Sequence, residues 1–89
     1  MMYDHFEAEA PETILKGIIQ ALVAYPEEVE ILKTDSPGST VLTIDVISED
    51  RGKIIGRGGS IIKSLNTLFR ALGGKIGKQI FLEIQEEYR

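Results

Sequence analysis

Apolar residues recur along this chain with two periods, and the changes of period mark out its elements. Ile14, Leu15, Ile18, Ile19, Leu22 and Val23 repeat at three and four residues, with Lys16 and Gln20 between them. That spacing lines one face of a helix and predicts an amphipathic segment of roughly 14 residues. Pro11 suits the first turn, Glu12 adds negative charge where the helix dipole favours it, and Tyr25-Pro26 ends the segment. Gly17 lies inside this helix and weakens it by up to about 1 kcal/mol relative to Ala. A close packing contact is the expected reason for a glycine there, and a contact between two copies is the alternative.

The period then falls to two. Val29 and Ile31, set against Glu30 and Lys33, predict a short strand, and Leu42, Ile44 and Val46 alternate with Val41, Thr43 and Asp45 in a second. Between them Asp35-Ser36-Pro37-Gly38 reads as a tight turn, because Pro presets its own φ and Gly accepts positive φ. A β-hairpin follows. Ser48 to Asp50 reads as the cap of a short helix over Arg51 to Ile55. Helical spacing returns in Ile61, Ile62, Leu65, Leu68, Phe69 and Leu72, with Gly73-Gly74 expected to stop it. Past a basic linker, Lys75 to Lys78, a last strand sets Ile80, Leu82 and Ile84 opposite Phe81 and Glu83. The order α-β-β-α-α-β predicts an α+β fold in two layers, with three helices covering one face of a three-stranded sheet.

Charge changes this picture. The chain has 89 residues and a net charge of -4, with a sequence pI near 4.9, which by itself argues against a polyanionic partner. The distribution argues otherwise. Residues 1–50 hold 11 acids and two bases, whereas residues 51–78 hold seven Lys or Arg and no acid. A phosphate feels the local field rather than the total, so the second half offers a basic surface. This run is built around Gly56-Arg57-Gly58-Gly59, so charge and backbone freedom coincide.

Length and composition narrow the classes. The chain suits one small domain over residues 11–87, preceded by a flexible acidic tail over residues 1–10. With no Cys there is neither a disulfide framework nor a thiolate metal site. No apolar run reaches the length of a membrane span, and the start of the chain is acidic where a signal peptide would be basic, so a cytoplasmic protein without membrane insertion is expected. His5 is the only imidazole and sits in the expected tail. Asp45, Glu49 and Asp50 would hold a divalent ion only if they converged, and strand ends and helix caps account for them more simply. No catalytic constellation, cofactor or metal is expected. The glycine run lacks the Gly-Lys-Ser or Gly-Lys-Thr of a Walker loop and the third glycine of a dinucleotide fingerprint.

A glycine-rich loop between two helices can bring backbone N-H groups close to a phosphate, since no Cβ stands in the way. The helix that follows adds its positive end. Arg57 in the loop, Lys53 before it and Lys63 after it are the candidates for neutralising neighbouring phosphates. Ile54, Ile55 and Ile62 are the candidates for the apolar floor of an adjacent groove.

The string from Ile54-Ile55-Gly56-Arg57-Gly58-Gly59 through Ile62-Lys63-Ser64-Leu65 resembles the signature of the KH domain. An apolar pair precedes Gly-x-x-Gly, and an apolar residue three positions beyond starts the next helix. The helix-strand-strand lead-in is similar to the bacterial type II arrangement, and over residues 11–87 the chain resembles the small single-domain bacterial KH RNA-binding proteins. The resemblance implies that Gly56 and Gly59 are the fixed glycines of the loop, that Arg57 and Gly58 are its variable pair, and that Ile54, Ile55 and Ile62 are the family's apolar positions. One departure is Gly58, where a side chain is more usual, which leaves Arg57 as the only charged side chain in the loop. The resemblance further implies single-stranded RNA as partner, about four nucleotides held by the phosphate backbone, and a role in post-transcriptional regulation or as an RNA chaperone. It also implies a homodimer or pairing with a larger KH-containing RNA-binding protein. The competing expectation is a KH-like protein-assembly module with weak or no RNA binding, and the position of the acids of the first half relative to the loop separates the two.

Overall fold

The computed structural model describes residues 10–86. The expected tail over residues 1–10 lies outside these except for Ala10. Helix α1 (Pro11–Leu22) is followed by a 3-10 turn (Pro26–Glu28), strands β1 (Glu30–Ser36) and β2 (Ser39–Asp45), helix α2 (Ser48–Ile55), a 3-10 turn (Arg57–Gly59), helix α3 (Ser60–Ile76) and strand β3 (Gln79–Ile84). The strand order is β1-β2-β3. β1 and β2 pair antiparallel around Pro37-Gly38, with Ser36 opposite Ser39 and Gly38 at φ 79°. β2 and β3 pair parallel, Leu42 opposite Leu82, so the chain crosses back over the sheet through α2 and α3. The architecture is the expected α+β fold, a mixed three-stranded sheet with helices on one face.

The period-two pattern is what divides the two sheet faces. Leu42 and Ile44 of β2 and Ile80 and Leu82 of β3 are buried, and they meet Leu15 and Ile19 of α1, Ile54 of α2, and Leu65 and Phe69 of α3 in one core; Thr40 is buried on the same face. The other face stays open to solvent: Phe81 is 51% exposed and Leu32 44%.

Four local expectations are corrected. α1 stops at Leu22, two residues short, because the N-H groups of Ala24 and Tyr25 turn away to the carboxylate of Asp50. Among the described residues Gly17 makes no close contact, since a Cβ there would meet nothing within 4 Å. α2 begins at Ser48 itself with no side-chain cap, and Asp50 points inward instead of closing the helix end. α3 runs straight through Gly73-Gly74 to Ile76 and ends at Gly77, in the left-handed region at φ 77°. Gly77 and Lys78 both donate their N-H groups to the Gly73 carbonyl. Gly73 is buried, and a Cβ on it would run into the carbonyl oxygen of Lys78 and come within 3.2 Å of Ile80. This glycine lets α3 close onto the start of β3, which is why the helix needs it in its interior.

Candidate nucleic-acid interface

The loop between α2 and α3 owes its shape to three glycines. Gly56 ends α2 at φ 75°, ψ 174°, a conformation that only glycine adopts readily, and its N-H donates to the Gly52 carbonyl at 3.0 Å. A Cβ at Gly56 would lie 2.7 Å from Cγ1 and 2.9 Å from the backbone N of Ile61, so space forbids a side chain as firmly as the backbone does. Gly58 (φ 62°) and Gly59 (φ 79°) are left-handed and complete the reversal into Ser60, and Gly59 donates to the Gly56 carbonyl at 3.1 Å. Among the described residues a Cβ on Gly58 would meet nothing within 4 Å, so that side of the loop is open to them. No side chain caps the start of α3.

The short helix in front of the loop is anchored by a buried carboxylate. Asp50 has no exposed surface; it accepts the N-H groups of Ala24 at 3.0 Å and Tyr25 at 3.1 Å, and Lys53 Nζ lies 3.3 Å from its Oδ1. Burial works against its charge, but the two backbone donors and the Lys53 ammonium outweigh that and hold its pKa below the usual carboxylate value. The end of α1 is thereby tied to the first turn of α2. On the other side, Asn66 links α3 to β3, accepting the N-H of Leu82 at 3.0 Å and donating to the Ile62 carbonyl at 3.3 Å. Neither role was foreseen. The only signal for Asn66 is a polar residue one position after the core residue Leu65, and for Asp50 an acid in a helix's first turn, which solvent-facing residues mimic.

The candidates divide by environment. Arg57 is exposed and, among the described residues, its side chain has no hydrogen-bond or ion-pair partner. Lys63, one turn into α3, reaches back to the Gly58 carbonyl at 3.2 Å, which brings its ammonium over the loop. Lys53 lies before the loop with its charge partly matched by Asp50. Ile55 is 37% exposed and Ile62 half-buried, whereas Ile54 is completely buried and supports the loop from the core. Lys75 and Lys78 are at the far end of α3, a helix about 25 Å long at 1.5 Å per residue. There Lys78 pairs with Asp35 at 3.1 Å and Lys33 with Glu12 at 3.3 Å.

That far cluster absorbs part of the acidity of the first half. Asp35 takes a hydrogen bond from Thr40 at 2.6 Å and one from Lys78, which together lower its pKa against the effect of burial. The hydrogen bond and charge of Glu12 raise the pKa of Lys33. Glu30 and Asp45, opposite one another in the register, lie on the open sheet face. Gly56 to Lys63 contains no acid, and neither Arg57 nor Lys63 pairs with a carboxylate among the described residues. Among those residues no group of three or more His, Cys, Asp and Glu is placed to hold a metal ion, and no helix is long and apolar enough to cross a membrane.

Helix order, mixed sheet and the α2-loop-α3 junction together define a type II KH fold. The chain belongs to the KhpA/KhpB KH-domain family, whose profile matches residues 12–84. It is 39% identical over 75 residues to the RNA-binding protein KhpA of Listeria monocytogenes, an alignment covering 84% of this chain and 99% of that protein. It is likewise 39% identical over 71 residues to the RNA-binding protein KhpA of Thermotoga maritima, covering 80% of this chain and 93% of the relative. The Clostridium acetobutylicum KhpA is 35% identical over 71 residues, covering 80% and 95%. No solved structure gives a significant match.

Proposed function

We propose that this protein binds single-stranded RNA by holding its phosphate backbone on the Gly56-Arg57-Gly58-Gly59 loop, and that it acts in post-transcriptional regulation or as an RNA chaperone. The observation that carries the reading is the exposed, unpaired Arg57 on a loop that three positive-φ glycines leave open to a ligand at the start of α3. Lys63 adds charge from the first turn of α3, and Lys53 adds less because Asp50 holds part of its field. Ile55 and Ile62 form the apolar floor for the bases, with Ile54 beneath them. One such surface takes about four nucleotides, mostly through phosphates, so affinity is modest and sequence discrimination small. Relatives carrying the name RNA-binding protein support the ligand class.

The test replaces Arg57 and Gly58 together by Asp and titrates a short single-stranded RNA against the wild type and the variant, following backbone amide shifts. Two carboxylates then occupy the phosphate position, and binding is lost while circular dichroism and melting stay near wild type. Arg57→Ala removes one attraction without adding repulsion and weakens binding by less. For the wild type, affinity falls at least tenfold from low to moderate salt if about three phosphates are neutralised. A folded double variant that binds RNA as tightly as wild type would sink the loop as the site. Silence of Gly56 to Lys63 in the wild type would favour the assembly module instead.

Self-association or pairing with a larger KH-containing protein accompanies this reading. Leu68 and Ile76, exposed at 50% and 54% along α3, support it, because a single small groove gains residence time when two are linked. A monomeric mass by light scattering at tens of micromolar protein excludes the homodimer.

A further inference from the structure

The open face of the sheet combines apolar side chains with charge of one sign. The register places Leu32, Val41 and Phe81 on it, with Leu32 and Phe81 about half-exposed and Val41 between the outer strands. Glu30, Asp45 and Glu83 share the face, and none of its strand positions is Lys or Arg. Lys33, the one base of β1, lies on the helix side, where it pairs with Glu12 of α1. The basic loop belongs to the opposite, helical layer.

We propose that this sheet face docks a basic segment of another protein, one in which large apolar side chains alternate with Lys or Arg. Exposed apolar area of this kind gains free energy when covered, and the acids around it select the sign of the partner's charge. Two other occupants fit poorly. Nucleic acid would bring phosphates against the exposed carboxylates of Glu30 and Glu83, even though Phe81 offers a stacking ring. A second copy meeting the face with its own face would oppose acids to acids with no Lys or Arg at the strand positions of either, a like-charge arrangement that costs affinity. Because the loop and the sheet face lie on different layers, a basic partner and RNA occupy the protein together.

The test uses the full-length chain, isotopically labelled, and three probes: a synthetic 12-residue peptide alternating Lys with Leu and Phe, the same peptide with Glu for Lys, and a short single-stranded RNA. The lysine peptide is expected to shift the amides of Leu32, Val41, Thr43 and Phe81 and to leave Gly56 to Lys63 in place. The glutamate peptide shifts nothing. The double variant Glu30→Lys with Glu83→Lys weakens the lysine peptide about tenfold. Phe81→Ser, a change at a half-exposed position, weakens it independently should the charge variant not fold. Several results would overturn the proposal: no shifts on the sheet face at millimolar lysine peptide, shifts confined to Glu27 and Glu28, or equal binding by folded Phe81→Ser. RNA moving the Phe81 amide would make the face a base platform. A wild-type dimer that Phe81→Ser returns to monomer would make its occupant a second copy.

Discussion

Two glycine pairs sit at opposite ends of α3 and do opposite things. Gly58-Gly59 breaks the helical path: both residues are left-handed, and the chain reverses into the helix through them. Gly73-Gly74 leaves the path intact, and Gly73 serves as a gap through which the helix approaches β3. The first pair supplies conformation and the second supplies volume. A glycine's role is thus set by what surrounds it, and the same two letters can reverse the chain at one end of a helix and seal a core at the other.

The largest effect expected is for Gly73→Ala. Its methyl meets the Lys78 carbonyl and Ile80, and a collision with backbone at a buried site costs about 3 kcal/mol or more in urea unfolding. If this variant is as stable as wild type, the contrast between the two pairs collapses. Gly56→Ala follows at about 2–3 kcal/mol, from a glycine-only conformation and the crowding of Ile61. Because it distorts the loop's entry, it also weakens RNA binding in the same titration.

Asp50→Asn tests the anchor that holds α2 and so places the loop. The melting temperature at neutral pH drops by on the order of 10 °C, as a buried acceptor of two N-H groups loses its charge and one oxygen. The pH dependence has a definite sign. The folded pKa of Asp50 lies below its unfolded value of about 3.8, so its stabilisation is full above that pH and is lost as pH falls through the folded pKa. The variant should therefore show a shallower loss of melting temperature below about pH 4, and an unchanged acid limb would contradict the depressed pKa.

Gly58→Ala separates conformation from volume. Nothing occupies the space its methyl enters, so only the left-handed backbone resists, at about 1 kcal/mol. A loss as large as that of Gly56→Ala would contradict the open space around Gly58. The smallest effect is a gain: Gly74→Ala, helical and with open space around it, stabilises by roughly 0.5–1 kcal/mol. Gly17→Ala behaves alike for the same reason, unless two copies meet at that glycine, in which case the dimer weakens.

Helix and strand order, the faces of β2 and β3, the hairpin and the Gly56 to Gly59 loop were legible in the residues, because each depends on local chemistry; the face of β1 was not, since Lys33, set against Ile31 by the pattern, shares the helix side with it. Periodicity reports which side of an element faces apolar surroundings, and proline and glycine act on their own φ angles. The alternation of β3, for example, fixes Ile80 and Leu82 against Phe81 wherever the strand ends up. The loop was legible for the same reason, as its shape comes from its own glycines and its charge from its own arginine.

What depends on a neighbour distant in sequence was not legible. The interior placement of Gly73 is decided by a carbonyl on the next strand, and the early end of α1 by a carboxylate 26 residues away from Ala24. The separation of acids from the loop is also tertiary. Composition divides the chain into an acidic and a basic half, and alternation sets Glu30, Asp45 and Glu83 opposite the apolar side of their strands, but only folding sends Glu12 and Asp35 to lysines at the far end and turns that strand face away from the helical layer that carries the loop. Electrostatic and steric fit act through space, between groups whose separation the order of residues does not specify. The residue pattern therefore determined the elements and the chemistry of the loop, and tertiary packing decided which charges remain unpaired beside it.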